Sequence, residues 1–188
     1  MTISSAFAAF ENVRPDSRPS LATCSIDVPG PPDRSFDLFT NHFGLWWPIG
    51  RTRRAAERKI VIEPEANGSV YEVCPDGLEH WGKVIAYVPG HTILLDWKLD
   101  LQFLPDSSLA SDLEIFFAQN RDESAHVTII HARLEQLCRG SGDVARGLAA
   151  QWRTILKAFQ SYSRLHCVKS TLRAGARRGD RERPAGLY

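Results

Sequence analysis

The stretch DVARGLAAQWRTILKAFQSY, residues 143–162, decides the fold. Leu148, Trp152, Ile155, Phe159 and Tyr162 recur at steps of three and four, the apolar stripe of an amphipathic helix. Gln151, Arg153, Lys157 and Gln160 cover much of the other side. Almost everything upstream reads as strands. A long helix after a run of strands needs a sheet to cover, and the sheet needs the helix to close its core.

Working outward from the helix, residues 140–143 lead into it, with Ser141 or Asp143 as cap. Residues 125–135 alternate Val127, Ile129, His131 and Arg133 against Thr128, Ile130, Ala132 and Leu134. Residues 112–118 turn Leu113, Ile115 and Phe117 inward, and residues 91–99 put Ile93, Leu95, Trp97 and Leu99 on one face. Strands over 79–88, 69–74 and 59–62 precede them, separated by Pro89-Gly90, Pro75-Asp76-Gly77 and Asn67-Gly68, while 101–111 is a loop. Residues 21–28 form the first strand. Pro32 and Asp33 then start a helix carrying Phe36, Leu38, Phe39 and Phe43, which Gly44 breaks, and Trp46-Trp47-Pro48 makes a second short turn. Consecutive strands joined by short turns pair antiparallel, and alternation marks one packed and one wet face. The expected class is α+β: a curved antiparallel sheet of about six to seven strands wrapped around a long C-terminal helix, with two short helices after the first strand. Such an arrangement leaves a gap between sheet and helix, where small molecules often bind.

The length of 188 residues suits one domain at 21–166, with a loose N-terminal arm at 1–20 and a basic, mobile tail at 167–188. The tail carries six basic and two acidic residues between Lys169 and Arg183, and a second basic patch with five basic residues lies between Arg51 and Lys59. Both are expected to be solvated. A net charge of +1 gives no global case for nucleic acid or an anionic membrane. Cys24, Cys74, Cys138 and Cys167 stand alone, without metal-site spacing. With no secretory signal and no run of ~18 apolar residues, the expectation is a cytoplasmic protein with reduced thiols.

Three stretches carry a family resemblance. Ser25-Ile26-Asp27-Val28-Pro29 through Phe36-Asp37-Leu38-Phe39-Thr40 to Trp46-Trp47-Pro48 is the first. Gly68 to Tyr71, Asp76-Gly77, Trp81-Gly82-Lys83-Val84 to Pro89 and Leu95-Asp96-Trp97 make the second, and Val127 to His131 the third. In order and spacing they resemble the START-like (SRPBCC) superfamily of helix-grip proteins, and within it the family named for the activator of heat-shock-protein-90 ATPase homologue. The likeness covers about 21–162. It departs at the start of the last helix, where Gly147-Leu148 stands in place of a glycine-tryptophan pair and Trp152 comes later. The resemblance implies a pocket for apolar small molecules and leaves the activity open, since some members are cyclase-like or hydrolytic enzymes. The co-chaperone activity of the name-giver belongs with a further domain and is not carried over.

The candidate ligand-binding residues are Trp81, Tyr87, Trp97, His131, Trp152 and Phe159. Aromatics bury large area and stack on planar ligands, and an indole N–H needs a partner. Core packing explains the same residues equally well. His131 shares a face with Val127 and Ile129, and is either a satisfied core histidine or, in an enzyme, the general base. His80 falls on the outer face by parity, and His42 precedes the tryptophan pair. No catalytic set is selected: there is no phosphate loop, no nucleophile elbow and no zinc spacing, so neither cofactor nor metal is expected. The leading expectation is binding of an apolar or aromatic small molecule between sheet and helix without catalysis. A cyclase- or hydrolase-like enzyme using the same cavity is the alternative, and an interaction or co-chaperone-like module docking through the basic tail ranks third. A membrane or nucleic-acid partner is not expected, and a homodimer stays open.

Overall fold

The computed structural model describes residues 21–48, 59–137 and 142–179, with side chains over 144–167 in the last segment. The arm at 1–20, most of the Arg51 patch, Cys138, the side chains of the Ser141 and Asp143 cap, and the tail's 180–188 lie outside the described residues.

Strand β1 (Ala22–Val28) leads to α1 (Pro32–Asn41) and α2 (Phe43–Trp46). Six strands follow: β2 (Lys59–Ile62), β3 (Ser69–Cys74), β4 (Gly77–Val88), β5 (Thr92–Trp97), β6 (Ser111–Gln119) and β7 (Ala125–Ala132). A 3-10 turn at Leu134–Gln136 precedes α3 (Gly142–Gly179). The seven strands form one curled antiparallel sheet in the order β1-β7-β6-β5-β4-β3-β2. Five of the six pairings join strands adjacent in the chain. The sixth brings β1 beside β7, from Ala22 opposite His131 to Val28 opposite Ala125.

Alternation sets the core as the sequence predicts. Ile93, Leu95 and Trp97 of β5, Leu113, Ile115 and Phe117 of β6, and Val127, Ile129 and His131 of β7 are all buried on one face. Leu148, Trp152, Ile155 and Phe159 of α3 are buried too, joined by Leu156, while Arg153 and Lys157 are exposed. Both sheet edges are covered, which removes the unpaired rows that invite aggregation. Helix α3 lies along β1, where the Gln160 amide donates to the Asp27 carbonyl at 2.7 Å. Helix α2 lies against β2.

Three local details differ from the sequence reading. Gly44 sits inside α2 instead of ending a helix. A Cβ there would meet the Ile60 carbonyl oxygen at 2.8 Å, so the glycine lets α2 approach the β2 backbone. Strand β7 stops at Ala132 because Arg133 adopts a left-handed conformation (φ 57°); its guanidinium then grips Asp112 with two bonds, at 2.6 and 2.5 Å. Helix α3 runs past Tyr162 to Gly179; residues 163–174 contain neither glycine nor proline, so nothing in the chain stops the backbone when the apolar stripe fades.

Candidate functional site

The sheet interior opposite α3 holds a cluster of indoles. Trp81 comes from β4, Trp97 from β5 and Trp152 from α3, and each is wholly or almost wholly buried. Trp81 owes its aim to a β-bulge: Val70 pairs with Gly82 and Tyr71 with His80, leaving Trp81 as the extra residue. Gly82 makes the bulge feasible. Its φ is +156°, and a Cβ there would lie 2.1 Å from the Asp96 carbonyl oxygen. His80 stays outside, as parity requires, against Tyr71.

Two further rings fill the cluster, and both come from connections. Trp47 caps the C-terminal end of α2 and lies against Trp81, Trp97, Phe103 and Trp152 with centroids 5.6–6.1 Å apart. Phe103 sits on the loop between β5 and β6 with a left-handed backbone (φ 58°), is buried, and meets Trp152 edge-on at 5.2 Å. A left-handed aromatic residue costs about 1–2 kcal/mol and is held there by the surrounding loop. Asp100 supplies that hold, its carboxylate accepting the N–H groups of Gln102 and Leu104 at 2.8 Å each.

His131 is tied into the cluster by a chain of neutral hydrogen bonds. The Trp152 indole is a donor only, and it donates to His131 Nδ1 at 3.1 Å. Nδ1 is therefore unprotonated and the ring proton is on Nε2. That proton goes to Ser111 Oγ at 2.8 Å, and the Ser111 hydroxyl in turn donates to the Trp97 carbonyl at 3.1 Å. Burial pushes the His131 pKa down to about 3, so the ring is neutral at pH 7. The polarity runs opposite to that of a serine nucleophile, whose hydroxyl donates to the histidine. Ser111 and His131 together form a satisfied structural link between strand and helix.

The six sequence candidates divide between two neighbouring clusters. Trp81, Trp97, His131 and Trp152 share the first. Phe159 meets Phe39 and Trp46 in the second, at 5.2 and 5.0 Å. Tyr87 lies beyond it, half-buried against Phe36 at 5.1 Å; burial raises its pKa, which a hydrogen bond with Thr40 partly offsets. Trp47, Phe103 and Ser111 are the members that sequence reasoning did not select. Trp47 was visible as part of the tryptophan pair, whereas a loop phenylalanine and a strand-end serine carry no periodic signal.

Within the first cluster two polar atoms stand out. The indole N–H groups of Trp81 and Trp97 are buried and have no acceptor among the described residues. The described surface also has two open clefts away from the tryptophans. One, of about 400 Å³, lies between His42, Gly44 and Leu45 and the β2 strand; the other, of about 650 Å³, lies between Gly30 and the β6–β7 turn. His42 accompanies the first, bonded to the Tyr162 hydroxyl at 2.8 Å. The β3–β4 hairpin gathers Glu72, Cys74 and Glu79, with ligand-type atoms within 4.8 Å of one another. Cross-strand pairing of Glu72 with Glu79 creates that group, so no sequence spacing announces it.

Compared with known proteins, the chain matches no family profile and no curated protein. Among solved structures it is similar to the self-sacrificing resistance protein CalC from Micromonospora echinospora, with 21% identity over 76% of this chain and 92% of that one, at a TM-score of 0.55. The fold is the START-like helix grip. The same START-like architecture recurs in DynU16, a protein of the dynemicin biosynthetic locus, with 16% identity over 76% of this chain and 46% of that one (TM-score 0.54). It recurs again in the Aha1 dimer from Colwellia psychrerythraea, with 13% identity over 76% and 95% of the two chains (TM-score 0.51). No helix among the described residues is long and apolar enough to cross a membrane.

Proposed function

We propose that this START-like protein binds a planar, largely apolar small molecule between its sheet and α3, without chemical turnover, in the cytoplasm. The observation that carries the reading is the composition of the interior. Four indoles and a phenylalanine converge there, with one neutral histidine and a strand-end serine as the polar members of the chain that links them. Flat faces of this kind stack on flat ligands. The rings touch one another, so a ligand enters by displacing the two that come from connections, Trp47 and Phe103. Trp81, Trp97 and Trp152 belong to the sheet and the long helix and stay as walls.

The absence of turnover is supported by His131. Both ring nitrogens are engaged, and its low pKa makes it a poor proton acceptor at pH 7. A cyclase- or hydrolase-like reaction in this space would need another base. The test is native mass spectrometry of the gently purified protein, combined with near-UV circular dichroism during titration with a planar hydrocarbon such as fluorene. A retained apolar molecule, or a saturable change in the tryptophan bands, is expected. Neither a retained molecule nor any saturable change would refute the reading.

A further inference from the structure

Resting on that reading, we infer that the ligand carries a hydrogen-bond acceptor, of the carbonyl or phenolic oxygen class, which is held by the indole N–H groups of Trp81 and Trp97. Both side chains are wholly buried, and both N–H groups lack an acceptor among the described residues. Burying such a donor unpaired is costly, which is why buried indoles are ordinarily bonded. Two other buried indoles of the interior show the ordinary case. Trp152 donates to His131 and Trp46 donates to the Phe39 carbonyl at 3.1 Å. Trp81 and Trp97 are the exceptions, and they are neighbours, with ring centroids 6.2 Å apart at 85°.

Their position fits one ligand. The Trp47 ring touches both, at 5.6 and 6.1 Å, and it is one of the two rings that a ligand would displace. A planar molecule taking its place would meet both indoles at once. The polar chain through Ser111, His131 and Trp152 offers such a ligand nothing, because its donors are already paired. The recognition is therefore by donors alone, and it selects acceptors: a ketone or quinone oxygen, or a phenolic oxygen, ahead of a hydrocarbon of the same outline. An alkyl ammonium group of similar size, which only donates, would leave both N–H groups unmatched.

Fluorene and 9-fluorenone test this directly, since they are planar tricyclic molecules that differ by one carbonyl. Equilibrium dialysis with the intact protein gives the two affinities without relying on tryptophan emission. Fluorenone is expected to bind roughly tenfold more tightly, the worth of one buried hydrogen bond. The double variant Trp81→Phe/Trp97→Phe keeps aromatic rings and removes both donors; its ratio is expected to fall close to one. Equal affinities in the wild-type protein would overturn this inference while leaving the binding reading intact, as would a fluorenone preference that survives in a folded double variant. Binding of neither compound, nor of any retained molecule, would overturn both.

Discussion

Replacing Trp152 with alanine tests the core of the interpretation. The indole is almost wholly buried and lies 5.2–6.0 Å from Phe103, Trp97, Trp47 and His131, centroid to centroid. Deleting a buried aromatic ring of this kind costs roughly 3–5 kcal/mol. The substitution also removes the donor to His131 Nδ1, and an orphaned buried acceptor costs about 1–3 kcal/mol in its own right. The two overlap in part, so Trp152→Ala is expected to lose at least about 4 kcal/mol, against the ~5–15 kcal/mol that typically holds a domain together. Trp152→Phe keeps most of the ring and isolates the lost donor, with an expected loss of about 1–3 kcal/mol. Lys157→Ala, five residues along on the exposed face, should stay within about 0.5 kcal/mol. Urea denaturation followed by far-UV circular dichroism ranks the three without depending on tryptophan fluorescence. Identical midpoints for Trp152→Ala and Lys157→Ala would refute the burial of this helix face and the site built on it. A Trp152→Ala loss near 1 kcal/mol would mean that the ring borders wet space, where truncation forfeits few contacts.

The low pKa of His131 predicts a pH dependence. The unfolded chain takes up its proton near pH 6.5 and the folded one only near 3, so the unfolded state binds more protons between those values. The stability that His131 contributes is complete above about pH 6.5 and is lost as pH falls, at up to ~1.4 kcal/mol per unit; His131→Asn should show a shallower slope in that window, and equal slopes would contradict the buried neutral ring. Gly82→Ala forces a side chain onto the Asp96 carbonyl at a left-handed position and should cost more than about 2 kcal/mol, whereas Gly147→Ala, with open space around it on α3, should gain about 0.5–1 kcal/mol in thermal or chemical melts. Asp100→Ala releases the turn under Phe103, and hydrogen exchange should accelerate at least about tenfold at Gln102 and Leu104 while the amides of β5 and β6 stay protected.

Much of this protein is legible in its sequence because side-chain periodicity is a property of the local chain. Ile93, Leu95 and Trp97 share a face because successive strand residues alternate, and Trp152, Ile155 and Phe159 share one because a helix turns every 3.6 residues. The turn signals and the order of motifs carried the helix-grip resemblance on the same footing. The tertiary structure alone decided which strand closes the sheet: β1 pairs with β7 across about a hundred residues, and no local pattern encodes a partner at that distance. It alone showed that Trp47 and Phe103 occupy the interior, since both rings arrive on connections with no period to read. It alone separated three tryptophans that look alike in sequence. Trp152 has a histidine as acceptor, which fixes that ring's tautomer, and Trp81 and Trp97 have none among the described residues. Hydrogen bonds are made at distances near 3 Å and at narrow angles, so whether a donor is satisfied depends on where the folded chain brings an acceptor, and on nothing within the donor's own segment.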